Sequence, residues 1–150
     1  MVHSYRMGRL EEIWVKRAHG GRMDAARQAT LDAGQGIAGN ANRGGRRQVT
    51  IVARERWDEL MTELGASLET SARRANIVVS GIDLLESRGR VLLIGGCRLR
   101  VLGETRPCEQ MEDARPGLQE AMKERWGGGA FAEVLEGGQI AVGDSAAWEI

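Results

Sequence analysis

The sequence predicts a mainly β fold, a closed or nearly closed barrel with few helices. Short segments of alternating or continuous apolar character recur at residues 12–16, 48–53, 77–79, 91–94 and 97–102. Turns rich in glycine separate them, in a chain that holds 21 glycines among its 150 residues. Helical periodicity is confined to two stretches. Many short strands joined by glycine turns favour a sheet that closes on itself and so leaves few exposed edges.

Taken in order, residues 12–16 (Glu-Ile-Trp-Val-Lys) read as an opening strand, followed by a turn at Gly20-Gly21. Residues 22–47 are rich in Gly, Asn and Arg and show no clear period; they are expected to wind over the surface. A strand follows over 48–53. Residues 54–64 then carry Trp57, Leu60, Met61 and Leu64 at helical spacing, and Gly65 is a natural stop. These side chains read as core packing. Three further strands are expected over 77–79, 91–94 and 97–102. A second helix is expected to start near Pro116, a residue suited to the first helical position, and to end at Trp126 before Gly127. Its inner face would carry Leu118, Ala121 and Met122. Last comes an expected hairpin, residues 130–135 against 139–142 across Glu136-Gly137-Gly138. No internal repeat is visible, and the length fits one domain over residues 1–150.

The two cysteines receive different readings. Cys97 shares strand parity with Leu99 and Val101, while Arg98 and Arg100 take the other face; it reads as a small core residue. Cys108 follows Pro107 in the polar turn Gly-Glu-Thr-Arg-Pro-Cys-Glu, where a thiol stays accessible and neighbouring positive charge favours the thiolate. On local spacing alone, a reactive thiol and an ordinary loop cysteine both stand open.

Formal net charge is zero, with 21 basic and 21 acidic residues, so the whole-molecule balance gives no argument for nucleic acid or an anionic membrane as partner. Basic residues nevertheless cluster at Arg43, Arg46 and Arg47, at Arg73 and Arg74, and at Arg98, Arg100 and Arg106. Two readings of these clusters stay open, a solvated surface or a pocket for a phosphate- or carboxylate-bearing ligand suited to guanidinium forks. Asn76, in a strand-forming context, needs a partner for its amide, either a ligand or a loop it braces. Asp83 and Asp144 follow glycine-containing turns and read as turn-fixing residues.

Several chemistries are disfavoured. Gly127-Gly128-Gly129 is followed by no Gly-Lys-Ser/Thr and ends a helix, which argues against a phosphate loop. Ser67, Ser71 and Ser80 lack a neighbouring histidine in a nucleophile-elbow context. His3, His19, Cys97 and Cys108 have no paired spacing for zinc. Two cysteines suggest no disulfide framework, and no apolar run resembles a signal peptide or a membrane span; a soluble cytoplasmic protein is expected.

Five elements in order give a more specific indication. They are Gly36-Ile37-Ala38-Gly39-Asn40, then Arg47-Gln48-Val49-Thr50, then Arg74-Ala75-Asn76-Ile77-Val78-Val79-Ser80-Gly81-Ile82-Asp83-Leu84. The turn Thr105-Arg106-Pro107-Cys108 and the closing Gly137-Gly138-Gln139-Ile140-Ala141-Val142-Gly143-Asp144 complete the set. Over residues 8–146 the chain resembles the MOSC domain family, named for the C-terminal domain of molybdenum cofactor sulfurases, in its small stand-alone bacterial form. Many relatives carry aspartate where Asn40 stands, and small bacterial ones often have a second cysteine just after the first, where Glu109 stands here.

The resemblance implies a distorted, pyruvate-kinase-like β-barrel with peripheral helices. It also implies a site around Cys108, with Arg47, Arg74, Asn76, Thr105 and Arg106 toward the molybdenum cofactor. Three functions follow from it. Cys108 accepts sulfur as a persulfide, with a cysteine desulfurase as the partner that loads it. Or the cleft binds molybdenum cofactor with Cys108 as a thiolate ligand to molybdenum. This second arrangement occurs in relatives that reduce N-hydroxylated substrates with electrons from a partner protein. The chain has too few cysteines for an iron–sulfur cluster of its own, so a redox partner is expected to be separate. Or the domain is a non-catalytic binding module. The sequence leaves substrate and oligomeric state open.

Overall fold

The computed structural model describes residues 8–150; His3 lies outside them. Seven strands close into a barrel. They are β1 (Gly8–Lys16), β5 (Val49–Ala53), β6 (Ile77–Ser80), β7 (Val91–Ile94), β8 (Cys97–Glu104), β9 (Ala130–Glu136) and β11 (Ser145–Trp148). The order β11-β7-β8-β9-β5-β6-β1 is shut by a β1–β11 pairing at Gly8↔Ala146 and Arg9↔Ser145. All these pairs are antiparallel except β5–β6, whose crossover runs through the helix α1 (Arg54–Leu64). On one edge β1 gives its first residues to β11 and its last four to β2 (Met23–Ala26). A second, three-stranded sheet joins β10 (Gly138–Ala141), β3 (Gln28–Asp32) and β4 (Gly36–Ile37).

The barrel interior is filled by inward residues of each strand. β8 shows the rule plainly: Cys97, Leu99 and Val101 are buried, while Arg98 and Arg100 face out. β5 and β6 bury both faces, because Val52 and Val78 meet Ala75 and Trp14 on the outside while Ile51, Ile77 and Val79 point in. Outside the barrel, Trp57, Leu60 and Met61 of α1 pack on Met111, Leu118 and Met122. α1 ends as its sequence demands. Gly65 takes φ 60°, its N–H meets the Thr62 carbonyl at 3.2 Å, and Ala66 N–H reaches the Met61 carbonyl at 2.9 Å.

Three expectations are corrected. Residues 22–47 hold three short strands, β2 to β4, and are not merely surface winding. The second helix is split and starts earlier: α2 spans Glu109–Ala114 and α3 only Leu118–Ala121. Gly117, at φ 91°, breaks it between the two, and Arg125 and Trp126 at φ 50° and 56° end the turns that follow. The third concerns β9 and β10, which form no hairpin. β9 pairs with β8 and β5, whereas β10 pairs with β3 at Gly138↔Leu31 through Ala141↔Gln28. The glycines there serve a close approach: a Cβ on Gly137 would lie 2.3 Å from the Leu31 carbonyl oxygen. Asp83 and Asp144 do fix turns, accepting from Leu85 N–H at 2.9 Å and Ala141 N–H at 2.8 Å.

Candidate functional site

A cavity of about 630 Å³ opens where the end of β8, the segment before β6 and the loop between β4 and β5 meet. Cys108, Arg47, Arg74, Asn76, Thr105 and Arg106 all line it. Each arrives by a local rule. After Glu104 the chain stays tied to β9 by Thr105 N–H on the Gly129 carbonyl at 2.9 Å. Pro107 then leads to Cys108, which sits extended at the start of α2, with its carbonyl accepting from Met111 N–H at 3.0 Å. Its thiol is exposed, whereas Cys97 is buried in the barrel and its thiol is pushed up by that burial and by Asp144.

The lining is unusual in charge. Lys16, Arg43, Arg47, Arg73, Arg74 and Arg106 contribute cations, and no carboxylate lines the cavity. Arg43 is neutralised from behind by Asp32 at 2.6 Å; the other five form no ion pair among the described residues. The mutual repulsion is visible in Lys16, whose ammonium is held below its ordinary value first by burial and then by Arg74 and Arg47.

Arg73, which the sequence did not single out, is the most constrained of these cations. It is 6% exposed, and its guanidinium donates from Nε to the Gly128 carbonyl at 2.7 Å, with Nη2 joining the same oxygen. Burial pulls it down to about 10; the Cys108 sulfur opposes the shift and the Arg47 charge adds to it. Gly128 and Gly129 make that carbonyl available by passing between β5 and β8. A Cβ on Gly128 would sit 2.3 Å from the Thr105 carbonyl oxygen, and one on Gly129 2.0 Å from that of Ile51. Arg73 and Arg74 diverge because Arg74 takes φ 62°, turning its side chain to the Gly21 carbonyl.

Asn76 lines the cavity as a brace. Its Oδ1 accepts from Thr50 N–H at 3.1 Å and the Thr50 hydroxyl at 3.2 Å, and its Nδ2 donates to the Trp14 carbonyl at 3.2 Å and Asn40 Oδ1 at 3.3 Å. Asn40 in turn accepts from Lys16 N–H at 2.9 Å. The two amides thus lock β1, β5 and β6 together beneath the cations. Thr105 differs: it is 3% exposed, and its buried hydroxyl has no hydrogen-bond partner among the described residues. Three members of the basic clusters, Arg46, Arg98 and Arg100, do not line the cavity. Arg98 and Arg100 stand on the outer barrel face, paired with Glu136, Glu149 and Glu133.

The arrangement suits an anion. A phosphate or other oxyanion entering the cavity would meet guanidinium forks and an ammonium, in a cavity that also holds a soft sulfur nucleophile. Among the described residues no three His, Cys, Asp or Glu side chains are gathered for a metal. A second cavity, of about 380 Å³ beside α1, carries Glu55, Glu59 and Asp83 with Arg56 and Arg125 and no thiol; both arginines pair with Glu59, while Glu55 and Asp83 accept from backbone N–H groups. No helix of the described residues is long and apolar enough to cross a membrane.

Among solved structures, the YuaD protein from Bacillus subtilis superposes with a TM-score of 0.78 at 23% identity, over 93% of this chain and 94% of that one. YiiM from Geobacillus stearothermophilus gives 0.76 at 16%, over 95% and 75%. YiiM from Escherichia coli gives 0.70 at 16%, over 95% and 70%. No curated protein matches the sequence. These likenesses share the barrel, and the family model for the MOSC domain matches residues 16–147. The chain belongs to the MOSC domain family, which is associated with the molybdenum cofactor.

Proposed function

We propose that this chain binds the phosphate-bearing molybdenum cofactor in the cation-lined cavity and that Cys108 is the residue through which its sulfur or redox chemistry runs. One observation carries the reading: six cations and no carboxylate surround a single exposed thiol. Lys16, Arg47 and Arg74 would hold the cofactor's phosphate. Cys108 offers the thiolate that a soft metal prefers. When bound, the cofactor would supply a molybdenum centre for oxygen- or sulfur-atom transfer. The chain's own residues orient it by charge, with Asn76 and Asn40 keeping the floor rigid.

A second reading has Cys108 carry sulfur as a persulfide. It is favoured by Arg73, a buried cation that lines the same cavity as Cys108 and whose place is fixed by a backbone carbonyl. The test is metal and pterin analysis of protein expressed in a host that makes the cofactor, with mass spectrometry of the same sample. Molybdenum at near one atom per chain supports cofactor binding, and an added sulfur on Cys108 supports the carrier. Absence of both assigns the domain to ligand binding without chemistry. A reductase acting on N-hydroxylated substrates would further require a separate electron donor, seen as turnover only when that donor is added.

A further inference from the structure

We propose that Cys108 takes its sulfur directly from a small anionic sulfane-sulfur donor, of which thiosulfate is the simplest, so that the domain works as a sulfurtransferase toward such anions. The proposal rests on the persulfide reading above and names the donor that the cavity is built to admit.

A thiolate attacking thiosulfate must approach a dianion, so three negative charges come together before any bond changes. An ordinary exposed cysteine has no means of offsetting that repulsion. Cys108 shares its cavity with Arg73, Arg47 and Arg106, none of them ion-paired among the described residues, and no carboxylate of the described residues lines the wall. Such fixed positive charge stabilises the encounter and the leaving group alike. That wall suits a small oxyanion better than a protein segment: Arg73 is 6% exposed and forms no ion pair among the described residues, and Arg47 and Arg106 line the same cavity. A desulfurase's persulfide brings no oxyanion for these cations.

The step balances without an oxidant or reductant. Cys108 Sγ attacks the outer sulfur of thiosulfate; the new S–S bond forms as the bond between the donor's two sulfurs breaks, and its electron pair leaves on sulfite. One thiolate and one dianion become one persulfide anion and one sulfite dianion. A thiophilic acceptor, cyanide in an assay, then removes the outer sulfur as thiocyanate and restores the thiolate.

The test uses the purified full chain and two sulfur sources, thiosulfate alone and a cysteine desulfurase with cysteine. Wild type should release sulfite in equal number to the sulfur added on Cys108 and turn over to thiocyanate with cyanide, and Cys108→Ser should do neither. Arg106→Ala and Arg47→Ala should each raise the half-saturating thiosulfate by about tenfold, with lysine at either position restoring most of it. Loading by the desulfurase with no sulfite from thiosulfate overturns the proposal and leaves the persulfide reading standing. Loading by neither source overturns both. Wild-type half-saturation in both arginine variants shows that the cations do not serve the donor, and overturns the proposal as well.

Discussion

On the outer face of β8, Arg98 meets Glu136 at 3.0 Å and Glu149 at 2.9 Å, and Arg100 meets Glu133. A few residues further on, Arg106 lines a cavity where no carboxylate is present. The residue type is the same and the strand is nearly the same. What differs is the neighbour supplied by the partner strand: β9 places glutamates beside the outward arginines of β8, and this register ends before the chain turns toward Cys108. Exposed pairs of this sort contribute about 0–1 kcal/mol each and cancel one another's field. Except for Arg43, which Asp32 neutralises, the cavity arginines keep theirs, and field directed at a recess is what an anion site requires.

The largest expected effect breaks the cavity half of this comparison. Cys108→Ser should abolish molybdenum retention and sulfur loading, while unfolding free energy shifts by less than about 1 kcal/mol, as for other exposed positions. Metal analysis, intact mass and thermal melts measure the three quantities. A serine variant that keeps metal and sulfur would leave the thiol without a role.

Next, Arg74→Ala should weaken pyrophosphate binding by about tenfold or more, the worth of a charge-assisted hydrogen bond, with melting little changed. Titration calorimetry reads this directly, and unaltered affinity would remove Arg74 from the site.

Glu12 sharpens the paired side of the comparison. Burial raises its carboxyl, but hydrogen bonds from Thr70, Trp14 and Arg54, together with the Arg54 charge, more than offset that and hold it below its ordinary 4.5. A carboxyl lowered by folding stabilises the protein above its unfolded value, and the contribution fades as pH falls through the folded value. Glu12→Gln should therefore cost about 1 kcal/mol at neutral pH, and the gap to wild type should narrow as pH falls below the ordinary carboxyl value. Denaturant melts across pH that keep a constant gap would contradict it. The smallest effect belongs to Arg100→Ala: a loss under about 1 kcal/mol and no change in anion binding.

Much of this contrast could be read from the chain. Strand parity put Cys97 inside, and the Pro-Cys turn put Cys108 in the open, because both depend only on local periodicity and on a proline. α1 matched its expected bounds because Trp57, Leu60, Met61 and Gly65 all agree. Residues 22–47 were opaque for a physical cause. β2 lies outside the closed ring with intermediate or exposed side chains, so neither face has the apolar run that marks a strand. Gly137-Gly138 misled because a glycine demanded by a distant carbonyl looks the same as one demanded by a turn. Arg73 was indistinguishable from Arg74 in sequence; the positive φ at Arg74 is what parts them, and an isolated Arg-Arg gives no sign of it.

Zero net charge conceals an uneven distribution. Of the 21 basic side chains, six line one cavity that holds no acid, which leaves fifteen against 21 acidic ones over everything else. Positive charge is thus concentrated around the site, and the excess of acid lies elsewhere on the chain. Small anions are drawn to that cluster of charge from beyond contact range, over roughly 8 Å at physiological ionic strength. Acidic macromolecules presenting a matching patch would be oriented by the same field before they touch. Salt concentration, more than pH near the isoelectric point of about 6.8, therefore sets how fast this protein meets its charged ligands.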